Sequence, residues 1–198
     1  MEESTTAAKS AAETIAGVAE LSEPALALLR PELEPRAFVE LLTEKKLYRD
    51  AVQFLAHALP KREAVWWAWV AARRASGGDP PPKIAAALAA VEKWISQPSD
   101  ENRRAARAAG EKAEFRTPAG CVGLAVFMSG GSLAAPGAPE VPPGEYLSAK
   151  VVGGAVTVSA LSTEPEKGPE KFRSFIAQGL EVARRIKLWE PKQGSKQA

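Results

Sequence analysis

The stretch Leu47-Tyr48-Arg49-Asp50-Ala51-Val52-Gln53-Phe54-Leu55-Ala56-His57-Ala58-Leu59-Pro60-Lys61-Arg62-Glu63-Ala64-Val65-Trp66-Trp67-Ala68-Trp69-Val70-Ala71-Ala72 decides the fold. Its first half carries Leu47, Ala51, Phe54, Leu55 and Ala58 at i, i+4, i+7, i+8 and i+11, one continuous apolar face of a helix. Pro60 has no N–H to continue that helix, so it ends it or opens the next at its first position. The second half predicts a helix over Lys61–Ala75 whose apolar members are Val65, Trp66, Trp69, Val70 and Ala72. Trp67 lies about 100° from Trp66, so the three indoles cannot share one narrow stripe. A helix that is apolar over more than one face belongs at the centre of a core.

Working outward, the same 3.6-residue period recurs. Toward the N-terminus, Ser22 caps a short helix over Leu21–Leu29, and Pro35 opens one carrying Phe38, Leu41 and Leu42. Toward the C-terminus, the break Ser76-Gly77-Gly78-Asp79-Pro80-Pro81-Pro82 is followed by Lys83–Ser96, with Ile84, Leu88, Val91 and Ile95 in register. Ser99 and Asn102 form a partial capping box before Glu101–Phe115, an Ala-faced helix with Arg103, Arg104 and Arg107 on a solvated side. Lys171–Ile186 is a last helix on Phe172, Phe175, Ile176, Gly179, Leu180 and Ala183. Two segments are ambiguous on their residues. Val122–Met128 and Val151–Val158 are Val-rich, as strands are. Yet Cys121, Leu124, Ala125 and Met128 lie at helical spacing, as do Leu147, Val151, Val152, Ala155, Val156 and Ser159. Gly153-Gly154 inside such a helix costs about 1 kcal/mol per glycine and needs close helix contact in return. Between the two, Ser129–Gly144 is a long Gly/Pro-rich loop.

The resulting expectation is an all-α, compact domain of antiparallel helical hairpins, with that loop in its C-terminal third. Residues 1–20 read as a frayed or disordered arm, 21–188 as a single helical domain, and 189–198 as a polar tail. Alanine makes up about a fifth of the 198 residues, and it is the strongest helix former.

Composition bounds the chemistry. With 26 Lys+Arg against 24 Asp+Glu, the net charge of +2 argues against a nucleic-acid partner held by charge. One Cys and one His exclude a zinc site of four Cys, or of two Cys and two His, and exclude a disulfide framework. No metal and no cofactor is expected. Met1-Glu2-Glu3-Ser4 is acidic where a secretion signal is basic, and no run approaches the roughly 20 apolar residues of a membrane span. Free Cys121 suits a reducing compartment, so the expectation is a cytoplasmic protein with no membrane partner.

The segment Tyr48–Ala68, with its core His57-Ala58-Leu59-Pro60-Lys61-Arg62-Glu63-Ala64-Val65-Trp66-Trp67, resembles an uncharacterised bacterial family, a domain of unknown function marked by His-Ala-Leu-Pro-x-Arg-Glu-Ala-Val-Trp-Trp. Ser129-Gly130-Gly131-Ser132-Leu133, the Pro-rich loop to Pro143, a Val/Ala segment and a last helix carrying Gly179 extend the likeness over roughly Leu26 to Arg185. The resemblance implies an all-helical fold, because family members place Ala where this chain has Val and Gly. It associates the chain loosely with type VI secretion gene clusters and implies no activity. Arg184-Arg185 departs from the family's more usual Ala-Gly run.

Five residues stand out as a binding surface: His57, Arg62, Glu63, Trp66 and Trp67. His57 with Asp50 and Glu63 has the residue types of a general-base site, but no Ser or Cys nucleophile accompanies them. The plainer reading is a His bonded to a helix-end carbonyl. Arg62 in the first turn opposes the helix dipole and so calls for a specific partner, with Asp50 the best placed. Clustered indoles at helical spacing are core, with one of the three free to reach the surface and mark an interface. Ser129–Ser132 lacks the elements of a phosphate loop and reads as a helix end, and Cys121 reads as a small buried hydrophobe. The function expected is that of a non-enzymatic accessory, adaptor or chaperone-like protein that binds another protein, with the resemblance implying a link to a type VI secretion system. The alternative is a hydrolase or ligand-binding enzyme centred on His57, Asp50 and Glu63.

Overall fold

A computed structural model describes residues 10–190. It contains ten α-helices and no strand among the described residues: α1 (Ala11–Ala16), α2 (Glu23–Leu26), α3 (Pro35–Glu44), α4 (Tyr48–Ala58), α5 (Lys61–Ala75), α6 (Pro82–Ser96), α7 (Asp100–Lys112), α8 (Pro118–Phe127), α9 (Leu147–Leu161) and α10 (Gly168–Arg185). The all-α expectation holds. Caps stand where the sequence places them: Ser22 Oγ accepts from the Ala25 N–H, Ser99 Oγ from the Asn102 N–H, and Pro35 opens α3.

Helices α5 and α9 form the centre. The first packs on α6, α8, α9 and α10, the second on α4, α5, α8 and α10. From α6 to α9 each helix packs on its successor, whereas α4, though joined to α5 by Leu59-Pro60, lies mainly against α9, α3 and α10. Trp67 is fully buried, and its indole N–H donates to the Phe175 carbonyl of α10 at 2.7 Å. Gly179 makes room for that ring. A Cβ there would sit 2.9 Å from Trp67 Cε2 and 2.4 Å from Leu55 Cδ2.

Both ambiguous Val-rich segments are helices. In α8 nearly every side is covered, because α7 and α8 meet backbone to backbone. A Cβ on Gly123 would lie 2.6 Å from the Ala106 carbonyl oxygen, and one on Gly110 2.9 Å from that of Gly120. In α9 the position of Gly153 is taken up by the Gln53 side chain of α4, 2.6 Å from where a Cβ would stand. Close contact of this kind offsets the helix cost of glycine.

Two expectations are corrected. The arm read over residues 1–20 holds, within the described residues, a capped helix. Ser10 and Glu13 of α1 form a reciprocal capping box, and Ala12, Ala16, Ala19 and Leu21 are buried in the core. The rest of that arm (1–9) and positions 191–198 of the tail lie outside the described residues; Leu188 and Trp189 pack on the core. Nor do Arg103 and Arg104 of α7 lie on a solvated face, though Arg107 is exposed. Arg103 is 4% exposed and donates to the Phe127 carbonyl (2.7 Å), the Ser132 carbonyl (2.8 Å) and Asp100 Oδ1. Arg104 adds bonds to the Ala134 carbonyl and Asp100 Oδ2. Arg103 and Arg107 also lie over the Phe127 ring, 4.6 and 4.7 Å from its centre. The N-terminal half of α7 is therefore a clamp on the Gly/Pro-rich loop, and Gly131 (φ +64°) packs against the Arg103 guanidinium. Among the described residues no helix is long and apolar enough to cross a membrane.

Candidate functional site

The corner between α4 and α5 separates His57, on the last turn of α4, from Arg62, Glu63, Trp66 and Trp67 on the first turns of α5. Leu59 and Pro60 are extended (ψ 142° and 147°), which turns the chain sharply between the two helices. His57, on the last turn of α4, has its Nδ1 2.8 Å from the Gln53 carbonyl oxygen. That contact makes Nδ1 the protonated nitrogen and leaves Nε2 as a lone pair, which is shielded from water and has no partner. The ring stands 6.0 Å from that of Tyr146, at a recess of about 170 Å³ lined by Pro60, Lys61, Glu145, Tyr146 and Ser148. Burial holds the imidazole pKa below its ordinary 6.5, against the pull of the Gln53 carbonyl.

The carboxylates proposed as its partners are elsewhere. Asp50 lies seven residues earlier on α4, about 10 Å along the axis, and its Oδ1 accepts the Ser22 N–H at 2.7 Å. Glu63 lies with Arg62, Trp66 and Ile95 around a different recess. The three groups therefore do not form one catalytic constellation. The expected Arg62–Asp50 pair is likewise replaced: Arg62 Nε donates to the Ile95 carbonyl at 2.7 Å, satisfying one of the free carbonyls at the end of α6. Among the described residues no three His, Cys, Asp or Glu side chains lie together in metal-binding reach.

Of the three clustered indoles, two are core. Trp67 bonds to Phe175, and Trp69 donates to the Leu88 carbonyl at 2.9 Å. The side chain that reaches the surface is Trp66, 39% exposed, where the periodicity had counted it among the apolar members of the helix. It stands between two recesses. One is the Arg62–Glu63–Ile95 recess; the other is a groove of about 470 Å³ between α5 and α10, walled by Trp66, Val70, Ser174, Ala177, Gln178 and Arg185. Gln178 Oε1 is buried in that wall without a partner. Glu181 at its edge is bonded by both Arg184 (2.7 and 2.8 Å) and Arg185 (2.9 Å), which hold its carboxyl down at about 2.

The α10 wall was not among the sequence candidates. Ser174, Ala177 and Gln178 fall off the apolar face of that helix and are small or neutral, so only their placement opposite Trp66 marks them. Cys121 takes no part: burial pushes its thiol up to about 11, and its Sγ points at the Val151 carbonyl.

A family of unknown function, DUF6931, matches residues 38–183, from within α3 almost to the end of α10, and the chain belongs to it. No curated protein and no solved structure matches the chain.

Proposed function

We propose that this chain is a non-enzymatic accessory or adaptor protein that binds another protein through the surface centred on Trp66. One observation carries the reading. A tryptophan more than a third exposed stands between two recesses on the central helix, while its neighbours Trp67 and Trp69 are sunk in the core. Exposed indoles at the rim of apolar grooves are the residues that dominate protein interfaces. The second nitrogen of His57 has no hydrogen-bond partner, and neither Asp50 nor Glu63 lines its recess, which supports a structural role for the imidazole. The signature from His57 to Trp67 supports the finer part of the proposal: a bacterial cytoplasmic protein serving a type VI secretion machine.

A photo-crosslinking amino acid placed at position 66 in the native host tests this. The expected result is one dominant adduct, identified by mass spectrometry, that is absent when the same group is placed at Lys112 on α7. Equal labelling from both positions would refute the binding surface. A hydrolytic activity lost in His57→Gln at unchanged melting temperature would favour the enzyme instead. Loss of effector secretion on deleting the gene is the expected sign of the type VI link.

A further inference from the structure

The electrostatics of the Trp66 face point to the chemistry of its partner. Arg62, Trp66, Val70 and Arg74 follow one another at i, i+4, i+8 and i+12 on α5, with Arg73 beside them, so one side of the helix carries an apolar centre between cationic ends. Each guanidinium is held in place by a neutral group. Arg62 donates to the Ile95 carbonyl, Arg74 donates to Ser174 Oγ at 2.7 Å, and Arg73 lies over the Trp69 ring at 5.3 Å. None of the three forms an ion pair among the described residues. Facing them, Glu181 is already taken up by Arg184 and Arg185, and Glu63 is the one remaining carboxylate lining either recess. The face is thus positioned and carries more cations than carboxylates: the cost of ordering the arginines is already met, while no carboxylate bonds to Arg62, Arg73 or Arg74 among the described residues.

We infer that this face receives an acidic segment of a partner protein. An apolar side chain of the segment enters the α5–α10 groove beside Trp66, and its carboxylates bond to Arg62 and Arg74. Twelve residues of helix separate those arginines by about 18 Å. The two acidic positions are therefore some five or six residues apart in an extended segment, or about twelve in a helical one. The inference rests on the reading of Trp66 as a protein-binding surface.

A phage library of random twelve-residue peptides, selected on the full chain and counter-selected on Trp66→Ala, tests it. The expected peptides carry Asp or Glu on both sides of an aromatic or aliphatic residue. The best of them is expected to lose at least about tenfold in affinity on the double change Arg62→Glu and Arg74→Glu, and to weaken as salt rises. Circular dichroism confirms that both variants keep their helix. Peptides that need Trp66 but show no acidic enrichment would overturn the acidic partner and leave the binding surface standing. An acidic peptide indifferent to the charge reversal would do the same. Recovery of no Trp66-dependent peptide would overturn both readings. A dimer that forms in sedimentation with wild type and not with Trp66→Ala would replace the acidic segment by a second copy of the chain.

Discussion

His57 shows what one partly buried group does to the pH response. Its imidazole donates its Nδ1–H to the Gln53 carbonyl, and its other nitrogen lies where a second proton would meet no acceptor. Burial of the ring outweighs the Gln53 bond and holds the folded-state pKa below the unfolded value near 6.5. Below 6.5 the unfolded chain binds a proton that the folded chain resists, so the stability present at neutral pH is lost as pH falls through that value. The melting temperature of wild type is expected to drop between pH 7.5 and 5.5 by more than that of His57→Gln, which has nothing to titrate there. Equal drops would remove His57 from the account. Gly179 is a second such residue. Gly179→Ala drives a methyl group against Leu55 and Trp67 and is expected to cost about 1–3 kcal/mol, read as a lower urea midpoint at unchanged slope. Trp69→Ala, which empties a buried indole site and frees the Leu88 carbonyl, is expected to cost more, about 3–5 kcal/mol. The burial of Trp69 was legible in the spacing. Which of Trp66 and Trp67 lies inside was not, because α5 is apolar on several sides and only its neighbours decide.

At the scale of elements, α3 to α7 and α10 were readable from periodicity, capping residues and proline. In α8 the helical spacing is right but the face is not. Cys121, Leu124 and Met128 are its less buried side, and Val122, Gly123 and Val126 face inward. A helix covered nearly all round has no apolar stripe to read, and glycines in the contact carry no hydrophobic signal. Arg103 escaped for the opposite reason: charge in an Ala-rich helix looks like surface until the loop that covers it is in place. Arg103→Ala leaves the Phe127 carbonyl without its side-chain donor and the Ser132 carbonyl with only the longer bond from Arg104, and is expected to cost roughly 2–4 kcal/mol. The same change is expected to speed amide exchange across residues 132–141, where Leu133 N–H bonds to the Val141 carbonyl. Unchanged exchange there would show that the loop holds itself.

Across the whole molecule, the N-terminal segment is part of the body. Residues 10–21 bury Ala12, Ala16, Ala19 and Leu21, and Glu20 pairs with Lys150 of α9, so this segment is tied to one of the two central helices. Small alanines on a short, polar helix gave no sequence sign of this. Deleting residues 1–21 is expected to lower stability by about 3 kcal/mol or more and to leave the helices otherwise intact, as denaturation followed by circular dichroism would show. The site was legible in part. The His57–Trp67 segment splits between two recesses and the core, only Arg62, Glu63 and Trp66 lying together, and the opposing wall on α10 comes from residues over a hundred positions away and has no motif of its own.

The unequal burial of the indoles also makes the molecule an optical instrument. Trp67, Trp69 and Trp94 emit from dry surroundings, whereas Trp66 and the half-buried Trp189 emit from nearer the solvent, Trp66 within reach of an aqueous quencher such as iodide. Anything that settles into the groove beside Trp66 changes the colour and the quenching of that fluorophore, and Trp189→Phe removes the other partly accessible one. The protein thus reports occupancy of its own surface without any attached label.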